Sequence, residues 1–204
     1  MEDKVKIAVL VSGGGTNLQA LLDAQKSGAL HSGGIALVVS NKENAYALTR
    51  AKNAGVPTAV LSKSAYPTQK AFEDALCSLL EENDIGLVIL AGFLRILSAD
   101  FTRRYDKRIL NVHPSLIPSF CGEGFYGLRV HEAALQRGVK VTGATVHFVN
   151  EIPDGGEILL QKAVEILPGD TPEILQRRVM EQAEWILLPQ ATEIVAARLE
   201  HERS

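Results

Sequence analysis

Apolar runs of strand length alternate with longer amphipathic segments through more than half of the chain, the order expected when parallel strands are joined by helices that pack on both faces of one sheet. Val5 to Val11 reads as a buried first strand, Asn17 to Lys26 as a helix, and Ile35 to Val39 as a second strand that stops at Ser40 and Asn41. A helix from Ala45 to Ala54 ends at Gly55, and a short strand follows from Val56 to Leu61. Thr68 to Glu82 sets Ala71, Phe72, Ala75, Leu76, Leu79 and Leu80 on one stripe, so it is a helix with a buried face. Leu87 to Leu90 and Ile109 to His113 continue the pattern as core strands.

The pattern changes after His113. Pro114, Pro118, Gly122, Gly124 and Gly127 crowd a stretch too rich in helix and strand breakers to form an element, and long loops in compact domains tend to carry binding sites. Val130 to Arg137 is a short helix closed by Gly138. Thr142 to Val149 and Ile158 to Val164 are rich in strand formers and are separated by Pro153, Asp154, Gly155 and Gly156, which predicts an antiparallel pair. The last element begins with Thr171 as N-cap and Pro172 at the first helical position, and runs nearly to the end with a break expected near Pro189. The fold class is therefore α/β, a three-layer Rossmann-like open sheet, mostly parallel with an antiparallel C-terminal part, in a single domain over residues 1–204.

Composition narrows the function. The chain has 204 residues, a formal charge of −3 and only two cysteines, Cys77 and Cys121, set far apart. The charge lacks the positive field of a nucleic-acid binder, and the cysteines form neither a disulfide framework nor a zinc ribbon. Met1, Glu2 and Asp3 followed by the short apolar run from Ile7 to Val11 make neither a signal sequence nor a membrane span, so a cytoplasmic protein is expected. The expected partners are small molecules, with no nucleic acid and no membrane, and a monomer and a homodimer are both open.

Three places could carry chemistry. The turn Ser12-Gly13-Gly14-Gly15-Thr16-Asn17 lies between a strand and a helix, where glycines let the backbone approach a ligand and the free N–H groups of a helix N-terminus favour an anion. A dinucleotide fingerprint would want glycine where Leu18 stands and an acid where Ser40 and Asn41 stand, and a Walker A loop would want a Gly-Lys-Ser/Thr ending. A monophosphate cradle remains, beside the plainer reading of a tight turn without a ligand. Asn111 and His113 project to one face at the carboxyl end of a strand, where an amide donor and an imidazole can stabilise an oxyanion and handle a proton. Asp154 before two glycines reads, taken alone, as an ordinary turn residue, and His147 as a hydrogen-bonded core histidine. The spacing of His113 and His147 gives no metal-ligand pattern, and no metal is expected. His31, His131 and His201 have no recognisable context.

Together, Ser12 to Asn17, Asn111-Val112-His113-Pro114-Ser115-Leu116-Ile117-Pro118, and Thr145-Val146-His147-Phe148-Val149 followed by Asp154-Gly155-Gly156 closely resemble the phosphoribosylglycinamide formyltransferase family, folate-dependent enzymes of purine synthesis. The similarity runs from the first strand to about Pro189 and includes Ala91-Gly92-Phe93-Leu94-Arg95-Ile96-Leu97. The resemblance implies transfer of a formyl group from 10-formyltetrahydrofolate, used as co-substrate without a metal, to the amine of glycinamide ribonucleotide. It implies Asn111, His113 and Asp154 as catalytic residues, with His113 protonated and Asp154 moving the proton, and Ser115 and His147 behind them. It places the phosphate on Ser12, Gly13, Gly14, Gly15, Thr16 and Asn17 and brings Glu184 to the ribose hydroxyls. It places the folate on Leu94, Arg95, Ile96 and Leu97, on Asn150, Glu151, Ile152 and Asp154, and beside Asn111. The family's basic folate contact falls at Gln69 or Lys70, the loop Cys121 to Arg129 carries no assignment, and Glu181 is expected to face away from the phosphate. Methionyl-tRNA formyltransferase and formyltetrahydrofolate hydrolase share the catalytic pattern but carry an extra C-terminal and N-terminal domain respectively, which this sequence does not show. A sensor of sugar phosphates without turnover is the alternative of another class.

Overall fold

The computed structural model describes residues 4–203, so Met1 to Asp3 and Ser204 lie outside it. Seven strands, β1 (Val5–Val11), β2 (Gly33–Ser40), β3 (Thr58–Val60), β4 (Leu87–Leu90), β5 (Ile109–His113), β6 (Val141–Phe148) and β7 (Ile158–Glu165), form one sheet in the order β3-β2-β1-β4-β5-β6-β7. The strands from β3 to β5 are parallel; β6 runs antiparallel to β5, and β7 antiparallel to β6. The order reverses between β1 and β4, which opens a crevice at their carboxyl ends, the usual ligand position in open α/β sheets.

Alternation along the strands builds two cores. Ile7, Val9 and Val11 of β1 join one core with Leu18, Leu21 and Leu22 of helix α1 (Thr16–Ser27) and Ala47 and Ala51 of helix α2 (Tyr46–Asn53). Ala8 and Leu10 point the other way, onto Phe72, Leu76 and Leu80 of helix α3 (Gln69–Glu82). That helix forms there because its apolar residues recur every fourth position and because Thr68 caps it, accepting a hydrogen bond from the Ala71 N–H at 3.1 Å. Leu110 and Val112 of β5 belong to the first core and Ile109 to the second, so Asn111 and His113 stand on the second face at the strand's carboxyl end.

The remaining helices are α4 (Ala99–Arg104), α5 (Leu128–Arg137), α6 (Pro172–Val179) and α7 (Trp185–Arg203). The expected sheet and its antiparallel end are present. Two expectations need correction. Helix α4, unrecognised in the sequence, is only six residues long and starts at Ser98, whose hydroxyl accepts from the Phe101 N–H. The break expected near Pro189 lies upstream, in a π-helical turn over Met180–Glu184, and Pro189 sits inside α7. One residue's worth of widening there rephases the helix, so Leu175 and Val179 before it and Leu187, Leu188 and Ala191 after it all reach the same core. Pro189 is the fifth residue of α7, so it follows the wide turn directly.

Candidate active site

The first wall of the crevice is the turn after β1. Gly15 is the N-cap of α1 in a left-handed conformation, φ 73°, and a Cβ there would lie 2.6 Å from the Ala47 Cβ, so only glycine fits. Gly13 and Gly14 are exposed and would carry a Cβ into open space. The N–H groups of the first turn of α1 have no partners within the helix, which makes this end attractive to an anion. Ser12 differs from the others in the motif. Its side chain is buried and its hydroxyl oxygen accepts from the Leu94 N–H at 3.0 Å, which joins the loop to the segment after β4.

The π-helical turn faces this loop. It brings the Met180 thioether within 3.8 Å of the Thr16 hydroxyl and the Glu184 carboxylate within 2.8 Å of Asn17 Nδ2. Burial pushes the Glu184 carboxyl up to about 7, and the hydrogen bond from Asn17 opposes the shift. Glu181 faces away, paired with Arg177 on the surface.

The raised value has a consequence for stability. Below pH 4.5 both folded and unfolded chains keep Glu184 protonated, so it contributes nothing. Between 4.5 and about 7 the unfolded chain releases the proton and the fold loses stability, fully so above 7. Glu184→Gln, which still accepts from Asn17, is therefore expected to match the parent at pH 4 and to exceed it by about 3 kcal/mol at pH 8. Denaturant unfolding at the two pH values checks this; a difference that does not change with pH would contradict it.

The second wall gathers residues from three elements. Pairing of β5 with β6 sets Asn111 opposite His147 and His113 opposite Thr145, and the ladder between β6 and β7 is irregular at Val146 and His147. Asp154 joins them from the turn after β6, in a left-handed conformation with φ 55°. The Asn150 side chain accepts from the Ile152 N–H at 3.0 Å and donates to the Gly155 carbonyl at 3.3 Å. A Cβ on Gly156 would overlap the Phe148 carbonyl oxygen, so this glycine fixes how the turn leaves the strand.

The polar groups interlock. Asn111 Nδ2 lies 3.2 Å from His147 Nε2 and 3.4 Å from Asp154 Oδ1. His147 donates from Nδ1 to the Phe148 carbonyl at 2.8 Å, and its Nε2 lies between Asn111 Nδ2 and Asp154 Oδ1, 3.5 Å from the carboxylate. His113 is buried; its Nε2–H donates to the Phe120 carbonyl at 2.8 Å and its Nδ1 faces Asp154 Oδ2 at 3.4 Å. Asp154 Oδ2 also accepts from the Gly122 N–H at 2.9 Å. The backbone on either side of Cys121 thus holds both His113 and Asp154. Ser115 supports that loop, donating to the Ser119 carbonyl at 2.5 Å, while the Thr145 hydroxyl donates to the Ser115 carbonyl at 2.7 Å.

Burial pushes Asp154 up, but the His147 hydrogen bond, His113 and the Gly122 N–H outweigh it, and the carboxyl lies below its ordinary value. For His113 burial outweighs the Asp154 charge and the Phe120 carbonyl, and the imidazole lies below its ordinary value. In the unliganded site burial thus works against the protonated His113 that the resemblance implies, while the Asp154 carboxylate at 3.4 Å works for it. Negative charge developing next to the ring would favour the protonated form further. His131, without context in the sequence, is fully buried, has no hydrogen-bond partner on either ring nitrogen, and is pushed down to about 4 by burial and by the proximity of His113.

The expected folate residues divide. Leu94 and Ile96 are 57% and 59% exposed and Ile152 is 59% exposed, an unusual outward display of large apolar side chains next to buried polar groups. Glu151 is exposed on the same turn as Ile152. Leu97 is buried in the second core, so it can hold the segment but offers a ligand little surface. Arg95 stacks on the Phe72 ring at 3.8 Å and donates to Gln69 at 2.7 Å. Lys70 is not brought to this group. Its side chain is 82% exposed and pairs with Asp74 one turn along α3, whereas Gln69 reaches the Ile96 carbonyl. Among the described residues, no group of three or more His, Cys, Asp or Glu is placed to hold a metal ion, and no helix is long and apolar enough to cross a membrane.

Comparison with known proteins shows the family. The formyl transferase family model matches residues 5–192. The chain is 44% identical to the phosphoribosylglycinamide formyltransferase of Haemophilus influenzae, over 87% of this chain and 81% of that protein. It is 46% identical to the trifunctional purine biosynthetic protein adenosine-3 of Gallus gallus over 96% of this chain, but spans only 19% of that relative's length. Among solved structures, glycinamide ribonucleotide transformylase 1 from Symbiobacterium toebii matches with a TM-score of 0.89 and 43% identity, over 95% of this chain and 88% of that one. Phosphoribosylglycinamide formyltransferase from Brucella melitensis matches with 0.87 and 39%, over 96% and 97%.

Proposed function

The chain belongs to the formyl transferase family, and from that premise we propose that it transfers the formyl group of 10-formyltetrahydrofolate to the amine of glycinamide ribonucleotide, in purine biosynthesis. One observation carries the reading: an amide, an imidazole and a carboxylate interlock within 3.2–3.5 Å at one end of the crevice whose other wall is a glycine loop suited to a phosphate. The ribonucleotide phosphate sits on the N–H groups of Gly13 to Asn17, with Glu184 toward the ribose. Leu94, Ile96 and Ile152 offer apolar surface to the flat rings of the folate, with the backbone of Arg95, Asn150 and Glu151 beside them.

The amine attacks the formyl carbon and the carbonyl electron pair moves onto oxygen. Asn111 turns an N–H from its long contacts toward that oxyanion, and His113, which takes up a solvent proton as the substrates bind and keeps it through the cycle, supports the negative charge beside it. Hydrogen bonds of 3.2–3.4 Å in an unliganded site are ones that substrate can replace. The amine must lose one proton and the folate nitrogen must gain one as the old carbon–nitrogen bond breaks. Asp154, ionised and in contact with His113, carries it, directly or through a water. No metal takes part.

The test is turnover. Formylated ribonucleotide and tetrahydrofolate are expected to appear in equal amounts and only with both substrates present. Tetrahydrofolate released without the ribonucleotide would favour a hydrolase, and ribonucleotide binding with no product would favour a sensor.

A further inference from the structure

All three carbonyl groups of the glycine run are held from the protein side. The Gly13 carbonyl accepts from the Ala47 N–H at the start of α2 at 3.0 Å, and the Gly15 carbonyl from the Gln19 N–H inside α1 at 2.9 Å. The middle one, Gly14, depends on a side chain: Arg50 Nε donates to it at 2.8 Å. The same guanidinium donates through Nη1 to Gln19 Oε1 at 3.0 Å and lies 5.1 Å from the centre of the Tyr46 ring, so its plane is fixed on two sides.

The arrangement matters because a trans peptide points its C=O and N–H in opposite directions. Holding the Gly14 carbonyl toward α2 turns the Gly15 N–H the other way. Glycine peptides rotate readily, and Gly14 has open space at its Cβ position, so on the Gly14 side of the Gly14–Gly15 peptide the Arg50 hydrogen bond is the contact that opposes a flip. A flipped peptide would present an oxygen, not an N–H, to an incoming anion.

We propose that Arg50 is a positioning residue for the phosphate of the ribonucleotide, pinning the Gly14 carbonyl so that the loop keeps its N–H groups on the ligand side. Arg50 touches the loop's back and not the substrate, and the inference rests on the phosphate reading of the loop. It assigns a role to a helix residue outside every motif of the sequence.

Steady-state kinetics in both substrates tests it. Arg50→Met keeps the side-chain stem and removes every donor. It is expected to raise the KM for glycinamide ribonucleotide by about tenfold while kcat and the KM for the folate stay within about twofold. Arg50→Lys keeps the charge and an ammonium that can donate to the Gly14 carbonyl but loses the planar fork, and is expected to recover part of the loss, with that KM about threefold above the parent. Inorganic phosphate, as a competitive inhibitor against the ribonucleotide, is expected to weaken in step. Gly13→Asp serves as control, since a carboxylate on the open side of the loop repels a phosphate wherever Arg50 stands. If Gly13→Asp raises the ribonucleotide KM and Arg50→Met does not, the role of Arg50 is overturned and the phosphate reading survives. If neither raises it, the phosphate reading itself falls. Equal rises for both substrates in Arg50→Met would mark a merely structural residue and overturn the proposal. Should Arg50→Met not fold, Arg50→Lys decides: an unchanged ribonucleotide KM overturns it.

Discussion

Asp154→Asn is expected to lower kcat by roughly two to four orders of magnitude, the range usual when a positioned acid or base is removed. Three losses combine in this one exchange. The amide cannot take the proton that the attacking amine releases. It carries no charge to support an imidazolium on His113, whose Nδ1 stands 3.4 Å from Asp154 Oδ2. It also disturbs the pairing with Asn111, because an amide next to Asn111 Nδ2 can offer its own N–H where the carboxylate offered only acceptors. Substrate binding should change far less, since the phosphate loop and the Leu94 segment are untouched. The measurement is turnover at saturating concentrations of both substrates, with unfolding followed on the same sample. A variant that is folded and within about tenfold of the parent would remove Asp154 from the chemistry.

His113→Ala is expected to cost two to three orders of magnitude in kcat, roughly the effect of losing one oxyanion donor in a water-poor site. The two effects should not add. His113 and Asp154 act on one proton and one developing charge, so the double variant is expected to lie close to the worse single variant. The His113 ring also donates to the Phe120 carbonyl and occupies buried space, so Ala leaves a cavity and an unpaired carbonyl. His113→Gln, which fills more of the volume and can donate to Phe120, separates packing from chemistry. It is expected to recover stability and little activity. Full activity in His113→Gln would show that the ring supports the loop and does no more.

The parts of the molecule visible in the sequence are those fixed by local rules. The strands of the parallel half announced themselves through short apolar runs, and Thr68 and Thr171 marked helix starts because an N-cap is a contact between residues three apart. Asn111 and His113 could be placed on one face because a strand has period two. Where position depends on distant parts of the chain, the sequence was silent or misleading. Asn17 and Glu184 are 167 residues apart, and only the family resemblance connected them before the structure did. Pro189 drew the expected break to itself, while the true irregularity is a wide turn set by two helices that must share one core. The resemblance left Gln69 and Lys70 both open as the cofactor contact, and Gln69 is the side chain that α3 aims at Ile96. Arg50 and His131 stand in no motif of the sequence; only packing reveals what each faces.

The account stands on two substrates meeting in one crevice. A crystal structure with glycinamide ribonucleotide and an unreactive analogue of the formyl donor tests that most directly. The expected result is the phosphate on the N–H groups of Gly13 to Asn17, and the amine within reacting distance of the one-carbon position beside Asn111 and His113. A phosphate bound elsewhere, or an amine too distant from that carbon with Asp154 facing neither partner, would contradict it.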